Sequence, residues 1–253
     1  MSWWEAAETA DHRLPETWMA ANPGFDDICA KSDFESAVLR TPEAEFRTKR
    51  CNQWVSSQQA WLPAGAWDAL LSEEGEELEI FPTDDYVLGF DGSYANDSTA
   101  VCAVTIPQNG EKPKVKLIAV WEKELGVDDD SWRVKIDEVK ETIIDYVQRF
   151  PQCREIACDP YRWASMMQEL QELDYPIVEY KTNLLSLMIP ATQKVFEAVT
   201  DKKFEHDGNV ILSRHIDNCV IKADHKGQRV TKESGSSRKK IDAAIAFIIA
   251  YDR

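Results

Sequence analysis

From Tyr86 onward, apolar and polar residues alternate in short, regular runs. Val87, Leu88 and Phe90 lead up to Asp91, and Ala100, Val101, Ala103, Val104 and Ile106 lead away from a polar turn, so this stretch reads as two strands and a turn. Gln108-Asn109-Gly110 supplies the next turn and VKLIAVWE, Val115 to Glu122, a third strand, which makes an antiparallel meander. The period then changes. Trp132, Ile136, Val139, Ile143, Val147 and Phe150 recur at three- and four-residue steps, predicting an amphipathic helix that begins near Ser131. REIACDP, Arg154 to Pro160, predicts a short buried strand ending in Asp159, with Pro160 placed to open a helix over YRWASMMQELQEL. PIVEY predicts another strand, ATQKVFEAVTD a helix behind Pro190, and KIDAAIAFIIAYDR a closing helix. Three antiparallel strands followed by alternating helices and strands predict an α/β fold, a mixed sheet flanked by helices.

Residues 1–80 follow no such order. Trp3, Trp4, Trp18, Trp54, Trp61 and Trp67 are interleaved with charge, FESAVLRTPEAEFRTKRCNQWV has helical spacing, and LSEEGEELEIFPTDD leads through Pro82 into the regular region. The pattern predicts a partly helical, acidic linker or docking segment over 1–80 and one main domain over 81–253. The tryptophans serve as packing anchors rather than base-stacking platforms, since their neighbourhood is acidic.

Composition bounds the function. The 253 residues, 43% of them apolar, suffice for one sizeable core. No apolar run reaches the roughly 18 residues of a membrane span, and the N-terminus lacks the basic-then-apolar order of a signal peptide, so a soluble, unexported chain is expected. Six scattered cysteines show no C-x-x-C spacing, and no G-x-x-x-x-G-K-[ST] motif occurs, so neither a zinc ribbon nor a P-loop is expected. A net charge of −16 argues against a polyanionic partner, but most of the acid excess lies in residues 1–80. Between Lys222 and Lys240 the sign reverses: Lys222, Lys226, Arg229, Lys232, Arg238, Lys239 and Lys240 face only Asp224 and Glu233. Gly227, Gly235 and the serines of this stretch suit a mobile loop, and the run is either a solvated loop or a holder of negative substrate.

Two acids share one local grammar. Asp91 follows YVLGF and Asp159 follows REIAC, each at the C-terminal end of an apolar strand, where α/β sheets form their sites. Asp242 opens a helix that is otherwise apolar nearly all round, so it is paired, capping or ligating. Taken singly, an Asx-turn accounts for Asp91 and a favourable helix-terminal charge for Asp242. Taken together, carboxylates in semi-buried settings repel unless divalent cations hold them ionised, and oxygen-only ligands suit Mg2+ or Mn2+. Two such ions activate water and clamp a scissile phosphate, while the basic run holds the polyanion. His206, His215 and His225 are not needed as bases in such a scheme and are expected in structural or surface roles.

YVLGFDGSYANDSTAV, REIACDPYRWA and SRKKIDAAIAFIIA, in this order, resemble the nuclease domain of a tailed-bacteriophage terminase large subunit, a member of the ribonuclease H-like superfamily. Upstream, WMAANPGF and AEFRTKRCNQWV resemble the segment joining the packaging ATPase to the nuclease, so the likeness covers nearly the whole chain. The resemblance implies a ribonuclease H-like sheet with Asp91, Asp159 and Asp242 as the metal-binding catalytic residues for two Mg2+ or Mn2+ ions, and Asp97 as an auxiliary or turn residue. Arg238, Lys239, Lys240, Lys226 and Arg229 then contact DNA. It further implies a metal-dependent endonuclease that cuts concatemeric viral double-stranded DNA in the host cytoplasm. The implied partners are the ATPase domain of the same subunit, the small terminase subunit and the portal protein, with an isolated domain that is monomeric. Because the ATPase motif is missing, the resemblance also implies that the chain represents the C-terminal portion of a longer protein.

Two other functions compete. GFDGSYANDSTAV also resembles the first phosphate-binding turn of actin-like ATPases and sugar kinases, although no second glycine-rich phosphate turn follows. A non-catalytic docking module of a packaging motor would use the acids structurally.

Overall fold

A computed structural model describes the chain except residues 1–3, 8–9, 42, 54–58, 74, 76–77, 94–97, 109, 124–131, 225–226, 234–236 and 238. The described chain forms two compact units, Met1–Gln59 and Ala60–Arg253. In the first, helices α1 (Pro15–Ala21), α2 (Lys31–Arg40) and α3 (Glu43–Arg50) enclose a small core. Pro15 sits in the first turn of α1, where its missing N–H costs nothing. The core is aromatic: Trp18 stacks on Phe34 at 5.6 Å, and its indole N–H donates to the His12 carbonyl at 2.7 Å. Trp18 is thus an anchor, as is Trp61 of the second unit, whereas Trp4 is exposed; Trp3 and Trp54 lie outside the described residues.

The second unit opens within the two-residue strand β1 (Gln59–Ala60) and includes residues 60–80, whose Trp61, Trp67 and Leu70 enter its core. Its main sheet has six strands in the order β6-β5-β2-β3-β4-β7. β2 (Tyr86–Gly92), β3 (Thr99–Thr105) and β4 (Lys114–Trp121) form the antiparallel meander. β5 (Cys153–Cys158) runs parallel to β2, β6 (Ile177–Glu179) parallel to β5, and β7 (Glu205–His206) parallel to β4.

The two-residue period of the strands assigns the faces. Tyr86, Leu88, Phe90, Ile156 and Cys158 pack with α4 (Ile136–Arg149) and α5 (Ala164–Glu172). Val87, Ala100, Cys102 and Ala157 pack instead with α6 (Leu185–Thr200), α7 (Val210–Asp217) and α8 (Asp242–Asp252). Asn209 caps α7, its Oδ1 accepting the Ile211 and Leu212 amides at 3.0 and 3.2 Å. Residues Asp242 through Ala250 of α8 are all buried. Gly89 makes that close packing possible, because a Cβ there would stand 2.0 Å from the Ala246 carbonyl and 2.7 Å from the Ala250 nitrogen.

Several boundaries differ from those that periodicity predicts. Helix α4 starts at Ile136, because Lys135 is still extended and Trp132 reaches the core from outside the helix. Pro160 opens a turn rather than a helix: Asp159 Oδ1 accepts the Tyr161 N–H at 2.8 Å, and Arg162 takes φ 67° before α5 begins. Helix α6 carries Pro190 inside it, since Met188, Ala191 and Val195 continue one apolar stripe across the proline. The basic stretch is not a plain loop. Its strands β8 (Val220–Asp224) and β9 (Gly227–Thr231) form an antiparallel hairpin, and the Val230 N–H donates to Thr192 Oγ1 of α6 at 3.3 Å.

Candidate metal centre

Strand parity places the first two acids. Gly89 and Asp91 are two residues apart on β2, so Asp91 projects to the α8 face. On β5 Ala157 belongs to that face and Cys158 to the other, which directs Asp159 to the α8 side as well. Phe90 lies opposite Cys158 in the parallel register, and the Asp159 N–H donates to the Phe90 carbonyl at 3.4 Å. The two acids therefore leave neighbouring parallel strands at the same end and on the same side. Trp163 braces that end, donating its indole N–H to the Gly92 carbonyl at 3.1 Å and meeting Phe90 edge-on at 4.8 Å.

Asp242 comes from the helix. Gly89 lies beneath Ala246, and Asp242 is one turn nearer the N-terminus of α8, so the helix start overhangs the strand ends. Its carboxylate, 6% exposed, accepts a hydrogen bond from the Ser98 hydroxyl through Oδ2. The Asp159 carboxylate, 9% exposed, accepts the Thr182 N–H at 3.0 Å and the Thr182 hydroxyl through Oδ2, and the Tyr161 amide through Oδ1. Burial, reinforced by Asp242 and Asp217, pushes the Cys219 thiol well above its ordinary range, and burial with the charge of Asp159 raises Cys158. Negative charge is thus concentrated at this end of the sheet, although the six cysteines, none of them in a disulfide, take no visible part in the site.

A cleft of about 260 Å³ opens here, lined by Asp91, Thr182, Arg229, Lys232 and Ile241 among others. Two cations of the β9 segment thus border a cleft that Asp91 also borders. Of the other basic candidates, Lys239 pairs with Glu233 at 3.2 Å, and the Lys240 carbonyl accepts from Asn218 at 2.9 Å. Lys226, Arg238, His225 and Asp97 lie outside the described residues. Among the described residues no three Asp, Glu, His or Cys side chains are drawn together closely enough to hold an ion. The donor set suits a hard cation in its chemistry: carboxylates only, from two strand ends and one helix start.

Among the described residues, His206 and His215 are not part of this cleft's lining. His206 stacks on Trp67 at 4.2 Å, its Nε2 lies 3.0 Å from the Trp67 carbonyl, and burial lowers its pKa. His215 is wholly buried behind α8, its Nδ1 accepting the Ala243 N–H at 3.0 Å. Sequence reasoning missed Thr182, which no motif marks, gave Ser98 no role although it lies within YVLGFDGSYANDSTAV, and named Lys232 only as part of the basic run.

The chain has relatives. The profile of the family "Terminase large subunit, endonuclease domain" matches residues 119–253. Gene 13 protein of Mycobacterium phage L5 is 23% identical over 94% of this chain, which spans 41% of that protein's length. Protein YmfN of Escherichia coli K12 is 22% identical over 82% of this chain and 51% of its own length. Among solved structures, the large terminase of bacteriophage HK97 superposes with a TM-score of 0.64 at 20% identity, covering 98% of this chain and 56% of that one. The large terminase nuclease of thermophilic phage G20c with bound magnesium gives 0.56 at 10% identity, covering 78% and 98%. The mixed sheet flanked by helices is the ribonuclease H-like architecture of these nucleases. With more than half of its residues matched by that profile, the chain belongs to the family of terminase large subunit endonuclease domains.

Proposed function

We propose that this terminase nuclease is a metal-dependent endonuclease that cuts concatemeric double-stranded viral DNA, with Asp91, Asp159 and Asp242 as its metal ligands. The observation that carries the reading is the convergence of Asp91 and Asp159 on one face at adjacent strand ends, with Asp242 above them on α8. When bound, two divalent cations such as Mg2+ or Mn2+ would supply an activated water and neutralise the oxygen that leaves phosphorus. The protein's own groups prepare the site for that chemistry. Thr182 and the Tyr161 amide orient the Asp159 carboxylate, and Ser98 orients that of Asp242. Arg229 and Lys232 offset the repulsion between a DNA phosphate and the acids, and Lys239 and Lys240, together with Lys226 and Arg238 from outside the described residues, contact DNA in this reading. In this reading the histidines abstract no proton.

The assignment extends to partners by proposal alone, because the chain spans only 41% of the length of the phage L5 relative. Of residues 1–80, those before Ala60 link or dock the nuclease to the packaging ATPase of the same subunit, the small terminase subunit and the portal complete the motor, and the isolated nuclease is a monomer. No helix among the described residues is long and apolar enough to cross a membrane. Action on DNA in the host cytoplasm is part of the proposal.

The test is conversion of supercoiled plasmid to nicked and linear forms with Mn2+, Mg2+ or EDTA, using the chain and Asp91→Ala. Cleavage with either metal, abolished by EDTA and reduced to the EDTA level in the variant, is expected. Cleavage that persists in EDTA, or in the variant, would overturn the assignment.

A further inference from the structure

Behind the first turn of α8, side chains from the end of β4 and from α7 lie close together. Glu122, the residue after β4, pairs with Arg214 of α7 and faces Nε2 of His215 at 3.5 Å. His215 Nδ1 accepts the backbone N–H of Ala243, the residue next to Asp242. An imidazole that accepts at Nδ1 carries its proton on Nε2 when neutral, so the Ala243 amide assigns the tautomer, and Nε2 comes within 3.5 Å of the Glu122 carboxylate without the geometry of a hydrogen bond.

The arrangement answers a structural need. The opening amides of a helix have no partner within it, and the N-cap residue here, Ile241, has no side-chain acceptor to offer. His215 supplies that acceptor from a different helix and is wholly buried where it does so. An aliphatic side chain would fill the same space without orienting anything. The first turn of α8 is consequently held twice, through its backbone by His215 and through the Asp242 carboxylate by Ser98.

We propose that Glu122 and His215 are positioning residues that hold the first turn of α8 so that Asp242 faces the strand ends in the orientation metal binding requires. The proposal rests on the nuclease reading above and concerns residues that touch neither DNA nor ion. Where an imidazole is itself the metal ligand, a carboxylate on its other nitrogen orients it, and loss of that partner costs about 10–100-fold in metal affinity. Here the pair acts through the helix backbone.

The experiment measures Mn2+ binding by titration calorimetry, with the metal dependence of plasmid nicking alongside it. His215→Leu is compared with His215→Asn, whose Oδ1 can accept at the place of Nδ1, and with Glu122→Gln. The expected result is Mn2+ affinity weakened about 10-fold or more in His215→Leu, largely recovered in His215→Asn, with nicking regained at saturating metal. Folded His215→Leu protein with wild-type metal affinity would overturn the proposal while leaving the nuclease reading intact. So would an Asn variant no better than Leu. If His215→Leu does not fold, Glu122→Gln decides: weakened binding supports the positioning role and unchanged binding overturns it. Wild-type protein that binds no Mn2+, or binds it equally well after Asp91→Ala, would overturn the nuclease reading and this proposal together.

Discussion

The two faces of the central sheet are built on opposite terms. One face is bulky: Tyr86, Leu88 and Phe90 project into a layer with Trp163, Ile143 and Leu170, and the helices stand off on large side chains. The other face is narrow at its middle, where Gly89 lets α8 lie with its backbone nearly on the strand. The acids emerge on the narrow face. A helix that approaches so closely can bring an acid from its first turn over acids at the strand ends, whereas the bulky face would hold the same helix too far away. Both faces bury core, and the thin one also sets the geometry of the site.

The sharpest way to break this comparison is Gly89→Val. With backbone atoms 2.0 Å from the new Cβ, unfolding free energy is expected to fall by more than about 4 kcal/mol, the exceptional class for one substitution, with loss of nicking. Denaturant unfolding that shows a change below about 1 kcal/mol would mean that α8 can stand off without harm. Leu88→Ala, the neighbouring residue on the other face, should cost about 3 kcal/mol yet leave nicking per folded molecule unchanged. A selective loss of activity there would erase the distinction between the faces.

Thr182→Val sharpens the comparison within the site. Removing the hydroxyl that Asp159 accepts from is expected to cost about 1 kcal/mol of stability and about 10-fold in Mn2+ affinity; calorimetry that finds unchanged affinity would remove Thr182 from the site. The smallest effect is one of pH. Burial lowers the pKa of His206, so the unfolded chain binds this proton more readily than the folded one. Its contribution is complete above about pH 6.5, the ordinary value for histidine, and is lost as pH falls from there towards the lower folded value. Denaturation at pH 7.5 and 5.5 should show a smaller drop in His206→Gln than in the wild type, and an equal drop would assign the pH dependence to other groups.

How legible each part was depends on the range of the interaction. The meander could be read from Val87 through Glu122 because alternation is a local property of half-buried strands, and the acids at 91 and 159 stood out against apolar runs. Local chemistry also misled. Pro160 looks like a helix opener, but the carboxylate of Asp159 captures the Tyr161 amide first. The 222–240 stretch looks like a solvated loop, yet Val220–Asp224 and Gly227–Thr231 pair and the second of them packs on α6, because register between short strands is set by their neighbours rather than by their polarity.

The sequence by itself determined the kind of protein: a mixed sheet with flanking helices, a buried C-terminal helix that begins with an acid, and carboxylates ending two apolar strands. Those are properties of composition and period, which need no partner to be expressed. Only the tertiary structure decided which groups steady these acids. Ser98 reaches Asp242 across 144 residues of chain, Thr182 reaches Asp159 across 23, and His215 reaches the amide of Ala243 across 28. Hydrogen bonds of that kind follow from distance and direction in space. The order of residues holds them only through the fold that brings them together.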